Sequence, residues 1–190
     1  MDDEAQAKAG GKEEKRSAPR RANGIVAALL VLFFLCAHGL MGSLSLAFPL
    51  TNHFTWLVWA ATAFVVVHIV LSAIVTREKL FNPEKPPTTQ KKLKIGLRWA
   101  TGILIAAMVC MHVGSVVLYG DSVIQSTSVG KVSLLALIAL IAVHVCTGAK
   151  SLVRDLGASK EQKEKLKTPL RLVICLVAAA LFVAVLVFAS

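Results

Sequence analysis

Charged residues are missing from four long stretches of this 190-residue sequence, although the chain carries 21 basic and 11 acidic residues. A soluble domain cannot cover so much apolar surface, whereas a bilayer core ~30 Å thick is crossed by about 20 apolar helical residues. The first charge-free stretch, 24–76, is long enough for two helices. The sequence therefore predicts an all-α membrane protein with five transmembrane spans, at about 24–48, 53–76, 95–119, 129–152 and 170–189.

Two further absences exclude functions. No Asp or Glu falls inside any predicted span, which argues against a transporter that couples protons or cations. No Cys-x-x-Cys-His motif occurs, which excludes covalently attached c-type haem. The four cysteines, Cys36, Cys110, Cys146 and Cys175, all lie in predicted spans, where we expect them to act as small buried hydrophobic residues.

Basic residues concentrate in three segments: the N-terminal tail, 77–98 and 150–171. With alternating spans these segments share one side of the membrane, and only Lys131 of the 21 lysines and arginines lies on the other. The positive-inside rule predicts a cytoplasmic N-terminus and an extracytoplasmic C-terminus in the plasma membrane. We interpret the net charge of +10 as a topology signal rather than a nucleic-acid surface. The predicted organisation is a cytoplasmic polar tail, 1–22, and a transmembrane domain, 23–190.

Each of the first four predicted spans carries one histidine near mid-membrane: His38, His68, His112 and His144. An ionisable residue inside a membrane indicates a function by default. Four of them on successive helices favour axial ligation of haem iron by pairs of imidazoles. Two alternatives remain open: a proton relay or other metal site, and histidines that only bond neighbouring backbone.

Depth sorts these histidines into two levels. His38 and His112 lie roughly 14 and 11 Å below the outer ends of their helices, whereas His68 and His144 lie roughly 22 and 24 Å below. The two levels are thus roughly 10 Å apart. In an up-down four-helix bundle the first and third helices are diagonal, as are the second and fourth. The predicted ligand pairs are therefore His38 with His112 for an outer b-type haem, and His68 with His144 for an inner one.

Small residues close to the histidines fit a porphyrin. Residues three and four positions away share a helix face, and small side chains there leave room for a macrocycle or simply allow close helix approach. A hydroxyl among them is also expected to accept the proton of the imidazole nitrogen that does not face iron. At these positions lie Gly42, Ser72, Ser115, Thr147 and Gly148, and Gly39 and Gly114 follow their histidines more closely.

This layout resembles the single-chain dihaem cytochrome b subunit of succinate dehydrogenase and fumarate reductase. The resemblance runs from about Arg20 to the end of the chain. It rests on four histidine-bearing helices followed by one without, on His38 with Gly42, and on His144-Val-Cys-Thr-Gly148 with Arg154-Asp155. One departure is Ala142, where some members carry a glutamate for proton compensation.

The resemblance implies a four-helix dihaem bundle with a peripheral fifth helix. It implies that His38 and His112 ligate the outer haem b, and His68 and His144 the inner one. A cytoplasmic iron–sulfur subunit and an FAD flavoprotein would be the partners, with menaquinone reacting near the outer haem. The residues at the outer mouth that we assign to a quinone site are Asn52, His53, Trp56 and Asp121, although Trp56 equally suits the interfacial aromatic belt.

Two rival hypotheses follow from the same residues. Cytochromes of the b561 type also carry histidines on four successive helices, and such a protein would relay electrons to an extracytoplasmic acceptor. A haem-free anchor or transporter component is the other rival. The sequence leaves the dicarboxylate, the quinone and the direction of catalysis open.

Overall fold

The computed structural model describes residues 18–39, 41–42, 55–81, 88–119 and 127–188. The first helix, α1, is α-helical over Ala18–Val31 and continues as a π-helix over Leu32–His38. The other four are α2 (Thr55–Phe81), α3 (Thr89–Tyr119), α4 (Ser128–Asp155) and α5 (Lys160–Phe188). The described part of the chain contains no strand. The all-helical fold class is therefore confirmed.

Five helices are long and apolar enough to cross a membrane, which confirms the predicted number of spans. Four of them extend past the predicted limits on the basic side: α2 to Phe81, α3 from Thr89, α4 to Asp155 and α5 from Lys160. The prediction counted only charge-free length, whereas Lys, Arg, Glu and Gln are themselves good helix formers. Likewise α1 begins at Ala18, inside the predicted polar tail.

Local sequence signals explain where the last two helices begin. Thr127 caps α4, because its hydroxyl accepts a hydrogen bond of 3.1 Å from the backbone N–H of Gly130. Gly157, with φ 113°, supplies the left-handed turn after α4. Ser159 and Gln162 then form a reciprocal capping box, with bonds of 2.9 and 3.2 Å, at the start of α5. The connection between these two helices is consequently very short.

The first four helices form a ring. Helix α1 packs against α2 and α4, and α3 packs against α4. The indole N–H of Trp99 donates to Thr76 Oγ1 at 3.1 Å and joins α3 to α2. Helices α1 and α3 therefore lie across the ring from each other, as do α2 and α4. The contact between α1 and α4 is tight, since a Cβ on Gly24 would lie 3.1 Å from the backbone carbon of Asp155.

Helix α5 lies outside this ring but is well buried against it. It packs on α4 and on the π-helical segment of α1. The most closely packed apolar cluster contains Leu35, Ile174 and Leu181, two of which belong to α5. The fifth helix thus supplies a large share of the core and braces the segment that carries His38. Its histidine-free sequence gave no sign of this role.

Many large apolar side chains on the helices are exposed, including Leu172, Leu176 and Val183 on α5. In a bilayer such side chains face lipid tails, which are as apolar as leucine. The expectation that the cysteines are buried is wrong for Cys110 and Cys175, whose side chains are exposed, and Cys146 is only partly buried. An apolar span carries no signal that distinguishes its lipid face from its protein face.

Candidate functional site

The outer histidine pair meets across the ring. The rings of His38 and His112 have centroids 6.5 Å apart and an interplanar angle of 76°. Two imidazoles that bind one metal from opposite sides, at metal–nitrogen distances of about 2.0 Å, have centroids about 6 Å apart. The separation in the structure is therefore of the size that a shared axial position requires.

The π-helical segment orients His38. Its wider turn is closed by the N–H of Gly39, which bonds to the carbonyl of Phe34 five residues earlier. The His38 ring stacks on Phe33, with centroids 5.8 Å apart, and meets the edge of Phe34 at 6.2 Å. Single π-helical turns inside α-helices occur frequently at functional sites. The sequence gave no warning of this change in helix type.

The inner pair is anchored by a residue that the sequence analysis did not identify. Thr101, on α3, has its Oγ1 2.9 Å from Nδ1 of His144 on α4. The same hydroxyl lies 2.9 Å from the carbonyl of Leu97, to which its single proton can be donated. Oγ1 is then the acceptor and Nδ1–H the donor, which favours the tautomer whose Nε2 has a free lone pair. Nε2 of His144 is thus the nitrogen left to bind a metal.

The residue expected in this role was Thr147, and the structure corrects that expectation. The Thr147 hydroxyl donates instead to the backbone carbonyl of His144 at 2.9 Å, within its own helix. Thr101 is one of the few buried polar residues, with 6% of its surface exposed. Thr101 lies eleven residues, or about 16 Å, below His112 along α3, which is deeper than the sequence analysis expected the inner level to lie.

The second inner histidine, His68, lies in a small polar network. Its Nε2 is 3.5 Å from Ser72 Oγ, at the outer limit of a hydrogen bond, so the expected Ser72 neighbour is present. Ser72 donates to Asn23 Oδ1 on α1 at 3.1 Å. Nδ1 of His68 is buried and has no hydrogen-bond partner in the described part of the chain. An unsatisfied buried nitrogen costs about 1–3 kcal/mol, which an absent ligand would offset.

The structure separates the level of His144 from that of the outer pair. Because His144 contacts Thr101, the inner level lies about 16 Å from His112 along the α3 axis. The expected separation of the levels was roughly 10 Å. The difference arises because the depth argument measured each histidine from a helix end, and the helix ends are uncertain by a turn. The two levels are nevertheless distinct.

Open space lies at three of the small residues that follow the histidines. A Cβ built on Gly42, Gly114 or Gly148 would meet no described heavy atom within 4 Å. These glycines therefore do not serve close helix packing, the alternative that the sequence left open. Gly102 behaves differently, since a Cβ there would lie 3.3 Å from Cε1 of His144. Open space and contact with an imidazole thus occur at different glycines.

The end of the bundle that carries the basic residues is polar. A cavity of about 100 Å³ lies between α1, α3 and α4, lined on its polar side by Asn23, Arg98, Ser151 and Asp155. Asp155 is buried and accepts hydrogen bonds from Ser151 at 3.2 Å and from Arg154 at 3.0 Å. A polar cavity of this size accommodates ordered water. The inner histidine level therefore lies close to a polar, charged end of the bundle.

The outer quinone candidates are only partly described. Asn52, His53 and Asp121 lie outside the described residues. Trp56 is in the first turn of α2 with 66% of its surface exposed, a position that suits the aromatic belt. Of these four candidates the structure therefore describes only Trp56.

No group of three or more His, Cys, Asp or Glu side chains in the described ranges is arranged to hold a metal ion. Axial ligation of haem uses only two such ligands, because the porphyrin supplies the remaining ones. Comparisons of the chain with protein-family models, with curated proteins and with solved structures give no match. The functional argument therefore depends on the geometry of this chain alone.

Proposed function

We propose that this chain is the dihaem b membrane-anchor subunit of a succinate dehydrogenase or fumarate reductase complex. The observation that carries the proposal is the approach of His38 on α1 to His112 on α3, two helices that lie across the ring from each other. The outer pair has ring centroids 6.5 Å apart. A proton relay would need carboxylates near these rings, and no acidic residue lies inside the predicted spans.

In this proposal His38 and His112 hold the outer haem, and His68 and His144 the inner one. A bound haem supplies one-electron iron chemistry, whose potential depends on the axial ligands and their hydrogen bonds. Because Nδ1 of His144 bonds to the Thr101 hydroxyl, Nε2 of the same ring points away from Thr101 and would be available to iron. The unpartnered Nδ1 of His68 and the open space at Gly148 support a ligand at the same level.

The ring then acts as a relay across a low-dielectric layer. Electrons would pass between the inner level, near the cytoplasmic end, and the outer level, near the extracytoplasmic mouth. The apolar rings of Phe33 and Phe34 beside the outer pair exclude water, which favours electron transfer without side reactions. Quinone, preferably menaquinone, would react near the outer pair, with Asn52, His53, Trp56 and Asp121 as the candidate contacts.

The cytoplasmic extensions of the helices provide the surface for partners. The first turns of α3 carry exposed Lys91, Lys92 and Lys94, and those of α5 carry exposed Lys160 and Lys165. An iron–sulfur subunit with an acidic face would be steered to these charges, and an FAD flavoprotein would bind to it beyond the membrane. With this topology the complex lies in the plasma membrane.

Purification of the chain from haem-replete cells tests the proposal. The expected result is two b-type haems per chain by pyridine haemochrome assay, together with a co-purifying iron–sulfur subunit and flavoprotein. Absence of haem would refute the proposal and favour a haem-free anchor. Two haems with an extracytoplasmic acceptor, and no iron–sulfur subunit, would replace it with a b561-like relay.

A further inference from the structure

Two cysteines face each other across the contact between α4 and α5. The Sγ atoms of Cys146 and Cys175 lie 3.8 Å apart, at van der Waals contact, and both thiols are free. They come from different helices and are separated by 29 positions in the chain. The sequence offered no reason to pair them, since neither belongs to a Cys-x-x-Cys motif.

The helices around this pair are firmly joined. Arg171 of α5 donates from Nε to the carbonyl of Cys146 at 3.0 Å. One turn further toward the cytoplasm, Lys150 of α4 forms an ion pair of 2.6 Å with Glu164 of α5. Leu170 and Ile174 pack in the same apolar cluster as Cys146. These contacts fix α4 and α5 against each other, so that the two sulfur atoms lie at the same level along the helix axes and remain adjacent.

The depth of the pair matters for its chemistry. Cys146 and Cys175 each lie four residues, about 6 Å, inside the basic residues Lys150 and Arg171. They are therefore near the cytoplasmic boundary of the hydrocarbon core, where water and small oxidants reach them. Cys175 is exposed beside Leu172 and Leu176, which face lipid tails, and Cys146 is partly buried, so an uncharged hydroperoxide that enters the edge of the bilayer meets Cys175 first.

We infer that Cys146 and Cys175 are a thiol pair that oxidises reversibly to an intramolecular disulfide linking α4 to α5. The oxidant is a hydroperoxide. The Cys175 thiolate attacks one peroxide oxygen, the O–O bond breaks, and one water or alcohol leaves with a sulfenic acid formed on Cys175. Sγ of Cys146 then attacks that sulfur; the S–S bond forms, the S–O bond breaks, and the second water leaves with the Cys146 proton.

The resting state of the pair follows from its location. Cytoplasmic disulfides are normally kept reduced and, when present, are mostly transient or redox-sensing. A pair at the cytoplasmic boundary would thus be a dithiol in unstressed cells. Oxidation would require the sulfur atoms to approach from 3.8 Å to a bond length of about 2.0 Å, by side-chain rotation and a small helix adjustment. The inference needs no haem and is independent of the proposed function.

A double variant, Cys36→Ser with Cys110→Ser, isolates the pair in the full-length chain. After mild hydrogen peroxide treatment, we expect the intact mass to fall by two hydrogen atoms. We expect both thiols to resist alkylation under denaturing conditions, and dithiothreitol to restore them. Adding Cys146→Ser or Cys175→Ser to this background should abolish the mass loss and leave the remaining thiol alkylatable or oxygenated.

Three results would overturn the inference. Both thiols of the double variant could remain alkylatable after a peroxide dose that oxidises the urea-unfolded chain. The thiols could be lost only as covalent dimers on a non-reducing gel. They could also gain oxygen atoms that dithiothreitol does not remove. Because serine is nearly isosteric with cysteine, unfolding of the variants does not obscure these outcomes, and circular dichroism verifies their helix content.

Discussion

The hydroxyl of Thr101 on α3 lies 2.9 Å from Nδ1 of His144 on α4, across 43 positions of sequence. This bond joins two helices of the ring at the level of the inner histidines. It also determines which imidazole nitrogen is left for a ligand. The geometry at His144 therefore depends on Thr101, a residue that the sequence gives no reason to connect with this histidine.

Thr101→Val should weaken the inner haem site while leaving the outer one intact. Valine has a similar shape but no acceptor, so Nδ1–H of His144 loses its partner. Loss of such a partner typically reduces metal affinity by about 10–100-fold. Haem content and the midpoint potentials from a redox titration measure the effect. Thr147→Val is the matched control, because that hydroxyl bonds only to its own helix backbone. Equal effects of the two variants would contradict the role of Thr101.

Alanine variants of the four histidines should separate into two classes. His38→Ala and His112→Ala should each lose the outer haem, and His68→Ala and His144→Ala should each lose the inner one. The reason is that the remaining histidine of a pair does not retain the haem alone. The expected stoichiometry is one haem per chain in every case, with identical residual spectra within a class. His53→Ala should keep both haems. Residual spectra that group His38 with His68 would refute the assigned pairs.

Gly102→Ala should displace the His144 ring. The added Cβ would lie 3.3 Å from Cε1 of the imidazole, so the ring must move by a few tenths of an ångström. Such overpacking costs about 1–3 kcal/mol. We expect a shifted inner-haem potential and a lower thermal midpoint. Gly96→Ala on the same helix has open space around it and should be neutral or stabilising. A Gly102→Ala protein indistinguishable from Gly96→Ala would disprove the contact.

Gly39→Ala should affect the outer haem selectively. Its Cβ would lie 2.8 Å from Cδ1 of Leu181 and 2.9 Å from the carbonyl oxygen of Phe34. The π-helical turn that orients His38 would have to change, at a cost of about 1–3 kcal/mol. Loss or shift of the outer-haem signal in redox-resolved spectra is the measurement. Adding Leu181→Ala should restore only part of the outer-haem signal, because the added Cβ would still lie too close to the Phe34 carbonyl oxygen. Full restoration would assign the effect to α5 packing alone.

Gly148→Leu tests the space beside His144. A Cβ at Gly148 meets no described heavy atom within 4 Å, so the haem-free chain should tolerate a larger residue without loss of stability. Inner-haem content should nevertheless fall, because the leucine would occupy the position of the macrocycle. Two quantities are compared between this variant and the unsubstituted chain: the thermal unfolding midpoint of the haem-free protein and the number of haems per chain. Unchanged inner-haem content would place the macrocycle elsewhere.

Local sequence alone was sufficient for the five spans and for the positions of the histidines along them. Charge-free length is a property of contiguous residues, and each span must satisfy its own backbone hydrogen bonds in lipid. The prediction therefore required no knowledge of neighbouring helices. It erred only at the helix ends, such as the start of α3 at Thr89, where charged residues continue the helix into water.

Only the tertiary structure revealed the Thr101–His144 bond, the π-helical turn before His38, the burial of α5 and the contact of Cys146 with Cys175. Each of these depends on which face of one helix meets which face of another. In a membrane span nearly every position is apolar, so the pattern that distinguishes buried from exposed faces in soluble helices is absent. The chain's sequence by itself determined how many helices are long and apolar enough to cross a membrane and where along each helix a histidine lies. The packing of those helices decided which side chains meet, because rotation about a helix axis leaves hydropathy unchanged but changes every contact.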